Sequence, residues 1–399
     1  MTTQQHSDSQ NFTPSILFQD DIEQQAMLFN DPERLIIVND PEGFEAGFAA
    51  LEHARKQGKW LAGYVSYEAG YLLEPQLKAL LPKNRRVPLL CYGVFDHPPQ
   101  TQTLAPLSHS GSNAYLSGFH AKWSKAHYQQ RFDRLHQHLR EGDCYQGNLT
   151  FPITAQSHGK PEALFAMLAA RQPVRYGAYV NLTTPDQGPL ILSRSPELFF
   201  AVDKDGWIET RPMKGTTPRG ANTAEDDAYR DFLMNDEKSQ AENRMIVDLL
   251  RNDISLISET GSLSVPKLFD VERYPTVHQM VSHVRAKLLP DLSLRQIFAA
   301  LFPCGSITGA PKISAMSILQ KLEQQPRDIY CGAIGWIAPS GEMRFNVAIR
   351  TLTLYHNDQV VLNVGGGVVY DSTAADEYQE CLLKARYVTA NDHVSGTKP

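Results

Sequence analysis

The spacing of apolar and polar residues predicts a chain of short strands with helices between them. Near the N-terminus, residues 35–38 form an apolar β-branched run that predicts a strand, and residues 41–57 have a helical pattern. Further along, four apolar residues recur at helical spacing on a charged segment, namely Tyr128, Phe132, Leu135 and Leu139. We expect this segment to be an amphipathic helix with one buried face.

The rest of the chain alternates between strand-like and helical patterns. Strands are predicted at 147–154, 176–182, 190–193, 198–202, 333–338, 345–354 and 359–364. Helices are predicted at 224–258, 293–302, 310–324 and 374–390, the first of them as one long helix. Turn residues at 339–341 and 356–358 join neighbouring strands, which indicates antiparallel pairing. Since strict β-α-β alternation is missing, we predict an α+β fold: a layered antiparallel β-sheet sandwich with outer helices.

Composition suggests three regions. Residues 1–15 are polar and lack the apolar segment of a secretory signal, so we expect a disordered tail. Residues 97–113 are rich in Pro, Ser, Gly and Thr, which is typical of a linker. We therefore predict an N-terminal subdomain with its linker at 16–118 and a catalytic region at 119–399.

Charge and cysteine content narrow the class of protein. The net charge of −6 gives no reason to expect nucleic acid or an anionic membrane as a partner, so an anionic ligand must be bound by local positive groups. The five cysteines are an odd number without a CxxC pair, which favours reduced thiols in a cytoplasmic protein. No apolar run approaches 18 residues, so we expect no membrane-spanning helix.

Three glutamates could form a metal site. Glu242 has apolar residues at i+3, i+4 and i+7, so it projects from the side of its helix that should face the core. Glu377 and Glu380 lie one turn apart on the last predicted helix. Carboxylates from two helices suit Mg²⁺ beside an anionic ligand. The alternative at each position is a salt bridge or a solvated charge.

Other segments could bind an anion. The run at 365–367 is three glycines at the end of an apolar strand, where backbone N–H groups are accessible, although a bulge or tight turn explains it equally well. Arg350 on a predicted strand could clamp a carboxylate or simply face solvent. Lys214 lies in a predicted turn, where it is either an amine nucleophile or an ordinary surface lysine. The residues thus predict an anion pocket, without its substrate.

Seven ordered motifs make the prediction specific. They are SRSPELFF (193–200), ETRPMKGTTPRG (209–220), AENRMIVDLLRNDIS (241–255), GSITGAPKISAM (305–316), YCGAIGW (330–336), FNVAIRTLTL (345–354) and VGGGVVYDSTAADEYQECLLKAR (364–386). In combination they resemble the chorismate-utilising enzymes, the family of anthranilate synthase, isochorismate synthase and aminodeoxychorismate synthase component I. The resemblance runs from about 119 to 390 and implies the fold of that family.

The resemblance also implies roles for single residues. Glu242 and Glu380 would bind Mg²⁺ directly and Glu377 through water, and the metal would hold the ring carboxylate of chorismate. Glu197 would protonate the departing C4 hydroxyl. The remaining substrate contacts would come from Gly365, Gly366, Gly367, Tyr330, Arg350, Ser306, Thr216 and Gln146, with Tyr330 and Arg350 on the enolpyruvyl group.

Two positions bear on which reaction is expected. Isochorismate synthases carry a water-activating lysine where this chain has Gln146, and a glutamine cannot act as that base. Anthranilate synthases usually carry alanine where this chain has Lys214, whereas aminodeoxychorismate synthases carry lysine. The resemblance therefore implies amination of chorismate at C4 through a covalent intermediate on Lys214. The chain departs from many relatives at Gln279, where they have histidine, and at Ser239, where some have an acidic residue.

The expected source of ammonia is a partner. The sequence has no Gly-x-Cys-x-Gly nucleophile segment, so we expect a separate glutamine amidotransferase subunit to supply ammonia, and a further enzyme to release pyruvate. Alternatives are anthranilate synthase component I, an isochorismate synthase, and a non-catalytic chorismate-binding subunit that regulates a partner.

Overall fold

Short strands predominate in the computed structural model, which describes residues 13–104, 114–184, 188–274, 277–390, 392 and 394–396. In chain order the strands are β1 (Ser15–Asp20), β2 (Gln25–Asn30), β3 (Arg34–Val38), β4 (Trp60–Val65), β5 (Leu90–Phe95), β6 (Gln100–Thr103), β7 (Tyr115–Ala121), β8 (Gln146–His158), β9 (Tyr176–Asn181), β10 (Leu190–Ser195), β11 (Leu198–Val202), β12 (Trp207–Thr210), β13 (Met213–Pro218), β14 (Ser264–Arg273), β15 (Val277–Lys287), β16 (Gly309–Ala310), β17 (Ala333–Ile337), β18 (Met343–Val347), β19 (Thr351–Leu354) and β20 (Gln359–Val368).

Helices connect many of these strands. They are α1 (Phe44–Lys56), α2 (Gly70–Leu73), α3 (Lys125–Glu141), α4 (Pro161–Arg171), α5 (Thr223–Asn235), α6 (Glu237–Ser255), α7 (Leu294–Leu301), α8 (Lys312–Glu323), α9 (Ala374–Lys384) and α10 (Arg386–Thr389). Short 3₁₀ turns lie at Pro41–Gly43, Tyr67–Ala69, Pro75–Leu80 and Gly305–Ile307. The predicted amphipathic helix is α3, and all four of its periodic apolar residues are buried.

The strands form two ten-stranded sheets. The first has the order β16-β8-β20-β19-β10-β9-β1-β2-β6, and β7 also pairs with β8. The second has the order β13-β15-β12-β11-β18-β17-β4-β5-β3, and β14 also pairs with β15. Neighbouring strands run antiparallel, as in the pairs of β8 with β20 and of β17 with β18. Antiparallel pairing is therefore confirmed.

Three apolar clusters give the layers of the fold. One lies between the two sheets and includes Ile16, Ala178 and Ile334. A second packs α3, α4, α8 and α9 onto the first sheet, and a third packs α1, α6 and α7 onto the second. Each sheet thus has one face on its partner and one face under helices. The predicted sandwich with outer helices is confirmed.

The segment predicted as an N-terminal subdomain contributes to both sheets. β1 pairs with β9 in the first sheet, and β4 pairs with β17 in the second. Within the predicted linker, residues 100–103 form β6, while residues 105–113 lie outside the described residues. Of the predicted tail, residues 1–12 also lie outside the described residues, and Ser15 already begins β1.

Four of the local predictions were wrong. The helix predicted at 224–258 is two helices, because Asp236 has extended backbone and its carboxylate caps α6 by accepting the Ser239 N–H at 2.9 Å. The strand predicted at 345–354 is β18 and β19, which belong to different sheets. Between them Arg350 has φ of +50°, so it lies at a crossing and not on a strand. Lys214 lies in β13 and not in a turn.

Two further features concern the cysteines and the helices. All five cysteines are buried and have free thiols. Within the described ranges, no helix combines the length and the apolar character that crossing a membrane requires.

One buried ion pair connects three separate elements of the fold. Arg327 and Glu323 are 2.8 Å apart, with side-chain exposures of 2% and 3%. The guanidinium also donates to the carbonyls of Asn148 at 2.7 Å and Ile307 at 3.0 Å. Glu323 accepts the N–H and the hydroxyl of Thr150, each at 3.0 Å. The pair therefore connects α8, β8 and the 3₁₀ turn at Gly305–Ile307.

We expect Arg327→Ala to lower the free energy of unfolding by about 3–5 kcal/mol, because it leaves the Glu323 carboxylate buried without its cation. Denaturant unfolding followed by fluorescence measures this loss. Arg251→Ala is the matched control, since it removes an arginine from a half-exposed pair with Asp248 and should cost about 0–1 kcal/mol. Equal losses in the two variants would contradict the prediction.

Candidate active site

Glu197 is a buried acid at the junction of the two sheets. It stands between β10 of the first sheet and β11 of the second, and its carbonyl accepts the Val347 N–H at 3.1 Å. The residue is only 5% exposed. The Ser306 hydroxyl donates to Glu197 Oε1 at 2.7 Å, which fixes the carboxyl group against the 3₁₀ turn. Two predicted site residues from distant motifs thus meet here.

The environment of Glu197 raises the pKa of its carboxyl group towards neutral pH. Burial raises the pKa of the carboxyl to about 7, while the Ser306 hydrogen bond and the charges of Lys214 and Arg350 act to lower it. At pH 7 a substantial share of this side chain therefore carries a proton. A carboxylic acid of this kind can protonate a leaving group.

Lys214 lies beside the glycine run and Gln146. A Cβ built on Gly367 would be 3.5 Å from Lys214 Nζ and 2.8 Å from Gln146 Nε2. Gln146 is 1% exposed, and its Nε2 has no hydrogen-bond partner within the described part of the chain. The neighbouring cation, Arg211, forms an ion pair with Glu272. An amine and an unpartnered amide thus face the same strand of glycines.

The glycine run forms one wall of this site. Gly365, Gly366 and Gly367 lie within β20 opposite Thr150, Leu149 and Asn148 of β8, so the predicted strand continues through them. A Cβ on Gly366 would be 2.6 Å from Glu377 Oε2. β19 pairs with β20 only as far as Leu352 and Leu362. Beyond that point, every second N–H group of β20 points to the side away from β8, where no described strand pairs with it. This open edge can bind a carboxylate.

Arg350 lies where the chain crosses from β18 of the second sheet to β19 of the first. Its side chain is half-buried and makes no hydrogen bond or ion pair with any described residue, although its charge acts on Glu197. Tyr330 is buried. It lies on a segment next to that of Arg350, because the following residue, Cys331, donates its N–H to the Ala348 carbonyl at 2.9 Å. The guanidinium is therefore available for an anion.

The three predicted metal ligands lie on α6 and α9. Burial raises the pKa of Glu377, the charges of Glu380 and Glu242 raise it further, and the hydrogen bond from Ser372 lowers it. Glu380 forms an ion pair with Lys384 at 2.8 Å, and Lys384 Nζ also donates to the Gly365 carbonyl at 2.9 Å. The helices thus bring the acids near each other and near the glycine wall.

The three glutamates supply the type of ligand atom, carboxylate oxygen, that a hard divalent cation prefers. Three carboxylates with mutual repulsion form an oxygen donor set that a cation would stabilise. The carboxylate oxygens of the three glutamates do not all lie close together. Within the described part of the chain, three possible ligand atoms lie within 4.8 Å of one another only in the group His138, Glu141 and Asp143. That group lies at the C-terminal end of α3 and is largely exposed. The predicted trio would complete a coordination sphere with water and substrate.

The Thr216 side chain faces Gln279 and not the glycine run at 365–367. Its hydroxyl donates to Gln279 Oε1 at 2.9 Å, and Thr216 is exposed. His278 is fully buried and bonds to Asp226 at 2.8 Å, so it points away from Gln279.

Sequence reasoning did not assign roles to Lys384 and Gln279. Lys384 could have been found from its i+4 spacing after Glu380, which places both on one face of α9. Gln279 carries no such pattern, because its contacts with β13 arise only from the strand pairing.

Comparison with known proteins identifies the family of the chain. A family profile described as "chorismate binding enzyme" matches residues 13–390. The chain belongs to this family. It is 42% identical over 272 residues to aminodeoxychorismate synthase component 1 from Klebsiella aerogenes, a match that covers 68% of this chain and 59% of the relative. The corresponding protein from Escherichia coli (strain K12) is 36% identical over 347 residues, with 82% and 75% covered.

Solved structures share the fold. Anthranilate synthase component I from Streptococcus pneumoniae TIGR4 has a TM-score of 0.75 at 26% identity, and the match covers 94% of this chain and 90% of that one. The menaquinone-specific isochorismate synthase from Escherichia coli has a TM-score of 0.70 at 18% identity, with 94% and 87% covered. Proteins named for different reactions thus share this architecture, so the reaction must be argued from the site.

We expect Ser306→Ala to raise the pKa of Glu197 above about 7, because the lost hydrogen bond stabilises the ionised carboxylate. Titration of the side-chain carboxyl by ¹³C NMR measures the shift. Ser340→Ala is the matched control, since the Ser340 hydroxyl donates to Glu342 at 2.8 Å in an exposed turn. An unchanged Glu197 titration in Ser306→Ala would refute this assignment.

Proposed function

We propose that this chain converts chorismate and ammonia to 4-amino-4-deoxychorismate, as component I of an aminodeoxychorismate synthase that supplies para-aminobenzoate and folate synthesis. The observation that carries the proposal is the position of Lys214, whose amine lies beside the glycine wall and Gln146 in the site that contains Glu197. The relatives named aminodeoxychorismate synthase component 1 support it. The chain spans 59% of the first of them.

The first step of the proposed mechanism is covalent. Chorismate would bind with its ring carboxylate towards the glycine N–H groups and its enolpyruvyl group towards Arg350 and Tyr330. The uncharged amine of Lys214 adds to C2, the ring double bonds shift, and the C4 hydroxyl leaves as water with the proton of Glu197. Covalent catalysis divides one difficult displacement into two easier ones.

The second step uses ammonia. Ammonia adds to C4, the double bonds shift back, and the bond from C2 to the lysine nitrogen breaks, so that Lys214 leaves as an uncharged amine. The proton that the new C4 ammonium group releases returns to the Glu197 carboxylate, which regenerates the acid. Gln146 contributes an uncharged amide, which cannot activate water as a base, so hydration of the ring is disfavoured. We propose that a separate glutamine amidotransferase subunit supplies the ammonia in the cytoplasm. The name "component 1" of the relatives and the reduced, unpaired cysteines support this part.

We propose that Mg²⁺ takes part in binding the substrate. Glu242 and Glu380 would hold it directly and Glu377 through water, because their carboxylates are the donors that this cation prefers. When bound, the ion would neutralise the ring carboxylate and the repulsion among the three acids. Lys384 orients Glu380 from the same helix.

A product assay tests the proposal. The protein is incubated with chorismate, Mg²⁺ and ammonium, and we expect 4-amino-4-deoxychorismate by liquid chromatography and mass spectrometry. Fluorescent anthranilate as the main product would favour an anthranilate synthase instead. Isochorismate formed without ammonium would favour an isochorismate synthase, and no turnover at saturating ammonium would favour a regulatory subunit.

We expect Lys214→Ala to lower the amination rate about 100-fold or more, because it removes the nucleophile of the first step, and to leave chorismate binding largely intact. Steady-state kinetics and calorimetric titration measure the two effects. Without ammonia, mass spectrometry should find a chorismate-derived adduct on Lys214 of the unaltered protein. Lys204→Ala, in an exposed turn, is the control. A full rate in Lys214→Ala would rule out the nucleophile.

We expect Glu242→Gln and Glu380→Gln to weaken Mg²⁺-dependent chorismate binding about tenfold or more, since even outer ligands of a metal contribute this much. Calorimetric titration of chorismate at several Mg²⁺ concentrations measures the change. Glu259→Gln, at an exposed position between α6 and β14, is the control. Unaltered Mg²⁺ dependence in both glutamate variants would remove the metal from the proposal.

A further inference from the structure

Gln279 binds both residues that follow Lys214. It lies on β15 opposite Thr216 of β13. Its Nε2 donates to the Gly215 carbonyl at 2.7 Å, and its Oε1 accepts the Thr216 hydroxyl at 2.9 Å. The pairing of β13 with β15 shifts register between Met213 and Thr216, so regular ladder bonds are interrupted there. The amide therefore supplies hydrogen bonds where the strand pairing lacks them.

The backbone next to Lys214 is held from a second side. Gly215 has φ of +76°, and a Cβ there would lie 2.5 Å from Ser239 Oγ on α6. Gly215 is thus enclosed between α6 and the Gln279 amide. Lys214 itself makes no hydrogen bond or ion pair with any described residue. The place of its amine therefore depends on how firmly this backbone is held.

We propose that Gln279 is a positioning residue for Lys214: it fixes the backbone at Gly215 and Thr216 and thereby keeps the lysine amine beside Gln146 and Gly367. This inference rests on the proposed function, in which Lys214 is the nucleophile. Displacing a reacting atom by about 1 Å costs roughly 100-fold in rate, so a two-point contact next to the nucleophile is significant.

The chemistry of an amide suits this position. It donates and accepts at the same time at any pH, as the Gly215 carbonyl and the Thr216 hydroxyl require. A neutral imidazole could also do both, but a protonated imidazole can only donate. The adjacent His278 cannot contribute, because it is buried against Asp226. A histidine at 279 would thus make the contact depend on pH.

The test compares Gln279→Ala with the unaltered protein, using chorismate, Mg²⁺ and ammonium. We expect kcat, and the rate of adduct formation on Lys214 without ammonia, to fall about 10- to 100-fold, with KM for chorismate unchanged. Gln359→Ala is the control, because it removes a strand glutamine that bonds to Arg86 at 2.9 Å at the far end of β20. Its kcat should match that of the unaltered protein.

A second variant separates positioning from general stability. Gln279→His should retain nearly full kcat above the ordinary imidazole pKa of about 6.5. Below that pH it should lose activity more steeply than the unaltered protein, because its protonated imidazole can no longer accept a hydrogen bond. An unchanged kcat in Gln279→Ala would overturn the inference. So would a loss that follows a lower Tm and that Gln279→His does not restore. If the unaltered protein forms no 4-amino-4-deoxychorismate, the proposed function fails first and is recognised before any variant is made.

Discussion

The buried ion pair of Arg327 and Glu323 is the interaction on which the site depends. Glu323 fixes β8 at Thr150, and Arg327 fixes β8 at Asn148 and the 3₁₀ turn at Ile307. β8 carries Gln146 and pairs with the glycine run, while the turn carries the Ser306 hydroxyl that bonds to Glu197. The Arg327 N–H also donates to Glu68 at 2.7 Å, which ties in the N-terminal segment. Two charges removed from water require this many partners, because an unsatisfied buried charge is costly.

Burial has a different effect at each acid of the site. Glu197 is enclosed between the sheets, and its raised pKa makes it a proton donor near neutral pH. Glu380 is half-exposed and paired with Lys384, so it remains a carboxylate that a cation can recruit. The same residue type thus serves two purposes because one side chain lies inside the sandwich and the other at the surface of α9. Acids whose environments push their pKa values apart are typical of sites that need one protonated and one ionised carboxyl group.

The site is also a junction between layers. Glu197 lies where the chain passes from the first sheet to the second, and Arg350 lies where it passes back. Helices α6 and α9 bring their glutamates from opposite outer layers. Lys214 reaches the glycine wall of the first sheet although β13 is the edge of the second. Residues separated by more than 200 positions therefore meet because both sheets end at this place.

The sequence by itself determined the fold class, the antiparallel pairing, the helix α3 and the family, because periodicity and ordered motifs are local properties of the chain. It also indicated most candidate site residues, while their roles stay predictions. Only the tertiary structure decided that residues 224–258 are two helices, that Arg350 occupies a crossing, and that Lys214 is on a strand beside Gln279. Those features arise from an N-cap, a change of sheet and a shifted register. The N-cap is a single side-chain contact, and the other two depend on strand partners that are distant in sequence. The periodicity of apolar residues records neither kind of contact.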